Sequence, residues 1–189
     1  MLMKSLIAIS LCFISLNGYA GDHQVEKLIS QNKETAKLYG SQLKQKLSQA
    51  MKKGGPLLAI GVCKIQAPKI STLMNQKGLP VARTSLKYRN SDNAPDKWET
   101  EVLNRFNRLQ KAGANPKRLE FYDVVNEDGQ DYFRHMKAIP TGNVCLTCHG
   151  KSIAPNLIKK LDELYVEDKA RGYQVGEVRG AFTFKAKLE

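Results

Sequence analysis

The stretch RLEFYDVVNEDGQDYFRHMKAIP, residues 118–140, decides the fold class of this chain. Two runs rich in aromatic and β-branched residues flank a tip of Asn126, Glu127, Asp128 and Gly129, a composition typical of a tight turn. The pattern predicts a β-hairpin, and strands joined by a hairpin belong to an antiparallel sheet. Such a sheet has at least one apolar face, so we expect helices to cover it.

Helical patterns lie on both sides of the predicted hairpin. In the N-terminal part, apolar residues recur at helical spacing among lysines and glutamines until Gly54-Gly55-Pro56, a sequence that ends helices. The helix before the hairpin has Asp96 in its first turn and Glu99 three residues later, which is the spacing of a capping box, and it ends at Gly113. The predicted helices cover residues 22–53, 67–78, 95–112 and 156–165.

Three further runs predict strands. Residues 57–65, LLAIGVCKI, form a short apolar run with β-branched residues, bounded by Gly-Pro before it and Ala-Pro after it, and Cys63 lies near its end. Residues 79–90 predict a second strand and residues 174–186 a closing strand. The whole pattern predicts an α+β domain with an antiparallel sheet, flanking helices and a long N-terminal helix.

The first twenty residues have the organisation of a secretory signal peptide. Lys4 precedes an apolar run over residues 6–16, and Gly18-Tyr19-Ala20 is a small-x-small cleavage pattern. The alternative is a transmembrane anchor, but the run is shorter than the roughly 20 apolar residues that a bilayer requires. We therefore expect cleavage after about Ala20, export to the periplasm and a single mature domain over residues 21–189, without Cys12.

The chain is strongly basic. It holds 30 Lys and Arg against 18 Asp and Glu, and removal of residues 1–20 lowers the formal net charge from +12 to +11 because Lys4 is the only charge there. The basic residues lie in twos and threes along the sequence, which is typical of a solvated surface. Attraction to an acidic redox partner or to anionic lipid is the secondary interpretation. We expect no nucleic-acid partner outside the cytoplasm and no membrane-embedded segment after cleavage.

The segment NVCLTCHG, residues 143–150, follows the hairpin and has the spacing of a c-type haem attachment site. Two sulfurs separated by two residues reach the two vinyl groups of the porphyrin, and the next residue presents an imidazole to the iron. Cys145, Cys148 and His149 fit these roles in order, and Gly150 allows the backbone to turn away. We expect one covalent haem c.

Three other interpretations of the two cysteines are weaker. A thioredoxin-like pair would follow a strand in a βαβ unit and open a long helix. Structural zinc needs four ligands, and beyond this segment the mature chain offers only isolated Cys63, His23 and His135. An ordinary disulfide between Cys145 and Cys148 stays open.

The residues alone leave the second axial ligand of the iron open. His23 is near the expected N-terminus, and His135 and several methionines fit ordinary packing. Cys63 is the third cysteine of the mature chain and has no partner once a haem takes the other two. It is either a buried, inert thiol or a thiolate that the iron protects.

Four motifs along the chain carry a family resemblance: LLAIGVCKIQAPKIS (57–71), RTSLKYRNSDNAPDKWE (83–99), CLTCHG (145–150) and YVEDKARGYQVGEVRGAF (165–182). In this order they resemble a family of exported single-haem domains with a PAS-like fold, first described as a domain of unknown function. Members include a cyanobacterial luminal haem-c protein and extracytoplasmic input modules of sensor kinases. The resemblance covers essentially the whole mature chain. It implies a PAS-like sheet and a haem attached to Cys145 and Cys148, with His149 and Cys63 as axial ligands.

A site of this kind implies one of two functions. The thiolate ligand and the resemblance favour a redox or small-gas sensor that passes its state to a separate periplasmic or membrane protein, since no output domain is recognisable here. The alternative is a periplasmic electron-transfer cytochrome c. No catalytic constellation is recognisable, so we expect no enzyme. Because propionates need cationic donors, we expect contacts from Arg83, Arg89 and Arg179.

Overall fold

The structure is a computed structural model that describes residues 17–188. Most of the predicted signal peptide, with Cys12, lies outside the described residues. The architecture of the described part is α+β, as predicted. A four-stranded antiparallel sheet lies between a long N-terminal helical layer and a shorter helix.

The predicted hairpin is confirmed and forms half of the sheet. Strands β2 (Glu120–Glu127) and β3 (Gln130–Pro140) pair antiparallel along their lengths. At the tip, Asp128 (φ 54°) and Gly129 (φ 81°) both adopt the left-handed backbone conformation that a tight hairpin turn requires.

The closing strand is confirmed, whereas the strand predicted over residues 79–90 is mostly wrong. Strand β4 (Val178–Lys187) pairs with β3, and β1 spans only Ala82–Thr84, so the sheet order is β1-β4-β3-β2. After β1 the chain folds back on itself, because the Ser85 amide donates to the Asn93 carbonyl (3.1 Å) and leaves the ladder.

A helical layer covers one face of the sheet. It consists of α1 (Asn17–Gly61), a π-helix (Val62–Gln66) and α2 (Ala67–Gln76), and the helix end predicted at Gly78 is confirmed by a left-handed φ of 71°. The inner side of this layer packs on the sheet in one cluster of buried residues: Ala36, Tyr39, Ile70, Met74, Val81 and Phe184.

The strand predicted over residues 57–65 is wrong, because this run is helical. Gly54 (φ −153°) and Gly55 (φ 67°) do interrupt α1 where the sequence predicts its end, but Pro56 then begins a second helical segment. Exposed residues recur every three or four positions after this break, which is helical spacing. A short apolar run without alternation fits a half-buried helix as well as a strand.

The helical layer also has the composition of a membrane span over part of its length. Within His23–Gln76, one window of 18 residues reaches a mean hydropathy of 1.2, and 33% of that window is buried against the rest of the protein. Helices that cover the core of a soluble protein reach the same mean hydropathy over windows of this length. The layer therefore has one buried side and one exposed side, and both are partly apolar.

Helix α3 (Lys97–Lys111) confirms the helix predicted over residues 95–112, and it covers the opposite face of the sheet. Its capping box is complete, because the Asp96 carboxylate accepts from the Glu99 amide (2.8 Å) and the Glu99 carboxylate accepts from the Asp96 amide (3.1 Å). The Thr183 hydroxyl of β4 donates to Glu99 at 2.7 Å and ties the helix to the sheet. The core on this side is formed by Val102, Leu103, Phe106, Met136, Ala138 and Ala181.

Two short helices close the end of the sheet. Helix α4 (Leu146–His149) lies inside the segment predicted to attach a haem, and α5 (Pro155–Leu164) confirms the helix predicted over residues 156–165. Ile60 of α1 packs against α5 in a small buried cluster with Leu157 and Leu161. This contact brings the second half of α1 beside residues 143–150, which we call the motif segment.

Candidate functional site

A cleft of about 510 Å³ lies between the helical layer, residues 143–150 and the end of the sheet. Its volume is in the range of cofactor sites. The wall includes the four residues that sequence reasoning placed around a haem: Cys63, Cys145, Cys148 and His149. Cys63 comes from the π-helix and the other three from the segment around α4. Two distant parts of the sequence thus meet at one cavity.

The motif segment is a tight turn with no room for a larger residue at its end. The Gly150 amide donates to the Leu146 carbonyl (2.9 Å), and a Cβ at position 150 would lie only 2.6 Å from that same oxygen. The φ of Gly150 is −75°, so the requirement for glycine is steric. Behind the turn, the Tyr173 amide donates to the His149 carbonyl (2.9 Å) and fixes the position of the helix.

The His149 ring is oriented by one backbone contact. Its Nδ1 lies 2.7 Å from the Ala170 carbonyl oxygen, which can only accept, so Nδ1 carries the proton and Nε2 is left with its lone pair. Burial lowers the pKa of His149 well below its usual range, with Arg179 and Arg89 acting in the same direction. A neutral imidazole with a fixed tautomer is the form that binds a metal.

A buried ion pair supports the segment that orients His149. The Arg89 guanidinium donates to the Asp168 carboxylate (3.0 Å) and to the Cys148 carbonyl (2.6 Å), and both charged side chains are almost fully buried. Asp168 also accepts from the Ala170 amide (3.0 Å) and from Arg171 (2.9 Å). Burial alone would raise the pKa of Asp168, but the hydrogen bonds from Arg89 and Arg171 lower it below its ordinary value.

Cys63 faces the cleft from an irregular part of the helical layer. Its thiol is free, as are those of Cys145 and Cys148. Burial raises the pKa of the Cys63 thiol, while Arg83, Arg89 and Arg179 act in the opposite direction. π-Helical turns are rare and occur frequently at functional sites, which fits the position of this residue.

The three arginines predicted to contact propionates all line the cleft, but they differ in their partners. Arg89 is engaged by Asp168 and two carbonyls, so its structural contacts compete with the predicted role. Arg179 donates to the Ser85 hydroxyl (3.0 Å), and Arg83 lies over the Tyr39 ring at 5.5 Å. Within residues 17–188, neither Arg83 nor Arg179 has a carboxylate within 4.0 Å.

The other residues weighed as iron ligands lie elsewhere, with one exception. His135 is fully buried beneath the helical layer, where it stacks on Phe184 with ring centroids 5.7 Å apart. Met74 and Met136 are packed in the two cores on either side of the sheet. His23 is exposed on α1. Met51 does line the cleft, near its outer part.

Sequence reasoning assigned no role to Asp168 or Ala170. Both lie in the last of the four quoted motifs, where an acidic residue is followed by small and basic ones. That composition was the one local feature from which a role for Asp168 could have been predicted. The partners Arg89 and His149 are distant in the chain, and a buried ion pair between separate segments has no local signature.

Fold and cleft together define a class of protein: an α+β domain with a PAS-like antiparallel sheet and a cleft that gathers one histidine and three cysteines. A family model described as Tll0287-like matches residues 21–186, and the chain belongs to this family. The resemblance carried by the four motifs is thereby confirmed.

A solved structure shares the fold. The crystal structure of the cyanobacterial haem protein Tll0287 is similar to this one with a TM-score of 0.60 and 21% sequence identity. The similarity covers 88% of this chain and 96% of the other. No curated protein matches the chain.

Proposed function

We propose that this chain binds one haem c in the cleft, attached through Cys145 and Cys148, with His149 and Cys63 on the iron. The observation that carries the proposal is the meeting of Cys63 with the motif segment in a single cavity. The likeness to the haem protein Tll0287 supports it. The spacing of residues 143–150 alone does not require a third cysteine in the cleft, so the position of Cys63 is independent support for the site.

The charges around the cleft fit such a ligand. Arg83 and Arg179 present guanidinium groups to a cavity whose lining is mostly apolar, and the salt bridges of the described residues leave both without a carboxylate. An anionic group at this end of the ligand would stabilise them, and a propionate is such a group. Arg89 has its own carboxylate and acts on Cys148 through the main chain.

When bound, a haem would supply one-electron chemistry and an iron centre able to take a small ligand. The residues of this chain prepare for it in two ways. His149 offers the lone pair of Nε2 because its Nδ1–H donates a hydrogen bond to the Ala170 carbonyl. Cys63 must lose its proton to bind iron; burial raises the pKa of its thiol, and Arg83, Arg89 and Arg179 partly offset that rise.

We propose that the protein works as a redox or small-gas sensor. Cys63 lies in a π-helix that follows the Gly54-Gly55 break, so the part of the layer that carries it is not one continuous α-helix. Loss of the sulfur from the iron would free this segment, and a partner in the periplasm or its membrane would detect the change. We propose no enzymatic turnover.

The alternative is a periplasmic electron carrier. One observation favours it: the outer part of the cleft runs past Lys37 and Lys44 on α1 and past Val144, which is 51% exposed. A cofactor edge at this opening, next to lysines, would suit an acidic redox partner.

Two measurements test the proposal. Changing Cys145→Ala together with Cys148→Ala should allow the haem to be extracted by acidified organic solvent, while Cys63→Ala, the matched control, should keep it covalently attached. Covalent haem at full stoichiometry in the double variant would contradict the site. A redox titration followed by optical spectra separates the two functions. Reversible cycling with unchanged ligation favours the carrier, and a ligand change or ready binding of nitric oxide favours the sensor.

The proposed location has its own test. We propose that the chain is exported and processed, and the start of the family match at residue 21 supports this. Mass spectrometry of the protein recovered from a periplasmic fraction should give a chain that begins at Gly21. A mass that includes residues 1–20 would contradict cleavage.

A further inference from the structure

The excess positive charge of this protein comes from one region. Residues 35–91 hold nine lysines and two arginines and no Asp or Glu. The rest of the predicted mature chain carries 18 basic and 18 acidic side chains. Residues 35–91 include most of the helical layer, so the formal net charge of the mature chain is concentrated on this side of the sheet.

The exposed side of the same layer is also apolar. After the break in α1, four large aliphatic side chains are about half exposed: Leu57 (47%), Leu58 (47%), Ile65 (52%) and Leu73 (56%). They recur at helical spacing on the side opposite to the buried Ala59, Val62, Ala67, Ile70 and Met74. We call these four residues and the lysines between and around them the outer face.

Lysines lie among these aliphatic residues. Lys64 and Lys69 alternate with them along the helix, and Lys77 follows at the end of α2. Lys52 and Lys53 come just before the break. All five are exposed. Lys64 donates to the Leu164 carbonyl (2.6 Å), and no ion pair within 4.0 Å involves any of the five in the described part of the chain.

We infer that the outer face binds the surface of an anionic membrane. A helix with aliphatic residues on its exposed side and lysines around them lies in the headgroup region, where the apolar groups are buried and each lysine gains from the anionic lipid. A second copy of this chain fits poorly, because two faces with lysines and no acid would repel. A protein partner is also disfavoured, since lysine is depleted in protein interfaces.

The proposal is independent of the haem, because the outer face and the cleft lie on opposite sides of the helical layer. Cys63 faces the cleft, whereas Ile65 is 52% exposed on the outer face. Lys64 lies at the border between them, because its Nζ is 5.4 Å from the ring centre of Tyr165, which lines the cleft. Binding by the outer face would hold the cleft one helix away from the lipid. A membrane-bound electron donor, acceptor or signalling protein would then be within reach.

Vesicle flotation of the processed holoprotein tests the inference. The protein should float with vesicles of phosphatidylglycerol and phosphatidylethanolamine, and it should stay at the bottom of the gradient with pure phosphatidylcholine vesicles. Binding should weaken as salt is raised, because the lysine contribution is screened. Equal flotation with both kinds of vesicle, or with neither, would overturn the proposal.

Two variants and their matched controls localise the surface. Lys53→Gln with Lys69→Gln should weaken binding roughly 30-fold, since each lysine near an anionic surface contributes about 1 kcal/mol. Ile65→Gln with Leu73→Gln should weaken it at least about tenfold. Lys111→Gln with Lys117→Gln, on the opposite side of the sheet, and Leu109→Gln, on α3 and 39% exposed in the wild type, should leave binding unchanged. Equal losses in variants and controls would overturn the assignment to the outer face.

The absorbance spectrum of the haem in each variant separates this proposal from the proposed function. A variant that loses flotation but keeps its spectrum has lost membrane binding by the outer face and has kept its haem site intact. Size-exclusion chromatography tests whether a second copy of the chain binds the outer face instead. A dimer that dissociates on Ile65→Gln with Leu73→Gln would assign the outer face to a second copy and overturn the membrane proposal.

Discussion

The two walls of the cleft are stabilised in different ways. The motif wall is fixed by directional polar contacts: Arg89 holds the Cys148 carbonyl, Asp168 holds Arg89, and the Ala170 carbonyl orients His149. The wall that carries Cys63 has apolar packing of its neighbours, Ile60 against α5 and Val62 against the earlier part of α1, and no ion pair among the described residues. Its two side-chain hydrogen bonds are to backbone carbonyls: Lys64 donates to Leu164 at the surface, and the Tyr39 hydroxyl donates to Ala67. One wall has a buried ion pair behind it, and the other has a π-helix.

This difference bears on which of the two proposed iron ligands, His149 or Cys63, would be free to move. A satisfied buried polar network specifies one geometry, because any shift leaves charges or carbonyls unpaired at low dielectric. Apolar contacts tolerate small shifts, and a π-helical turn has an alternative in the ordinary α-helix. We therefore expect His149 to keep its position and Cys63 to be the ligand that changes.

The largest expected effect is the loss of the ion pair behind the motif wall. Asp168→Asn leaves the Arg89 guanidinium buried without a counter-charge, so we expect the free energy of unfolding to fall by roughly 3–5 kcal/mol in urea denaturation. The matched control is Asp162→Asn, which removes the half-exposed partner of Arg171 and should cost less than about 1 kcal/mol. Similar losses in both variants would show that the motif wall has no special dependence on buried charge.

The second effect concerns the packing of the helical layer on the sheet, at His135. Burial lowers the pKa of this residue to about 4, against 6.5 in the unfolded chain, with Glu120 raising it and Lys33 and Lys137 lowering it. Both ring nitrogens are buried and lack a hydrogen-bond partner in the described structure. The unfolded state therefore takes up the proton first, and stability present above about pH 6.5 should fall by roughly 3 kcal/mol as the pH is lowered to 4.

The measurement is urea denaturation at pH 7 and pH 4, followed by far-ultraviolet circular dichroism. His135→Phe keeps an aromatic ring against Phe184 and should lose this part of the pH dependence. His23→Gln, at an exposed position, should retain it. An identical pH profile for wild type and His135→Phe would contradict the prediction.

A pair of glycine substitutions compares the walls directly. Gly150→Ala places a Cβ 2.6 Å from the Leu146 carbonyl in the motif wall, and we expect a cost of about 1–3 kcal/mol. Gly61→Ala, just before the π-helix, meets nothing within 4 Å at a helical φ of −61°, and it should stabilise the helix by up to about 1 kcal/mol. Thermal denaturation shows whether each substitution raises or lowers the stability. A destabilising Gly61→Ala would contradict the observation that the Cys63 wall has free space at this position.

The smallest effect on stability, and the most informative spectrum, is expected for Cys63→Ala. The fold and the covalent haem should persist, because neither depends on this thiol. The electron paramagnetic resonance spectrum of the ferric protein should change, since an anionic sulfur ligand is removed. An unchanged spectrum would exclude Cys63 as a ligand. His135→Phe serves as the control, because it alters a histidine outside the cleft.

Several elements of the fold could be predicted because their signals are local. The hairpin tip at Asp128 and Gly129 and the capping box of α3 each depend on residues within a few positions of one another. The spacing of residues 145–149 is a local signal of the same kind. The strand predicted over residues 57–65 failed because a short apolar run shows burial without showing periodicity, and the contacts with α5 decide between helix and strand.

The sequence by itself determined the class of sheet, the capped helix, the family and the segment that would attach a haem. Only the tertiary structure decided that Cys63 lies on a π-helix across the cleft from His149, and that Arg89 and Asp168 form the support behind that histidine. The reason is physical. Turns, caps and attachment spacings follow from interactions between neighbouring residues, whereas the position of a thiol or a buried charge depends on how distant segments pack.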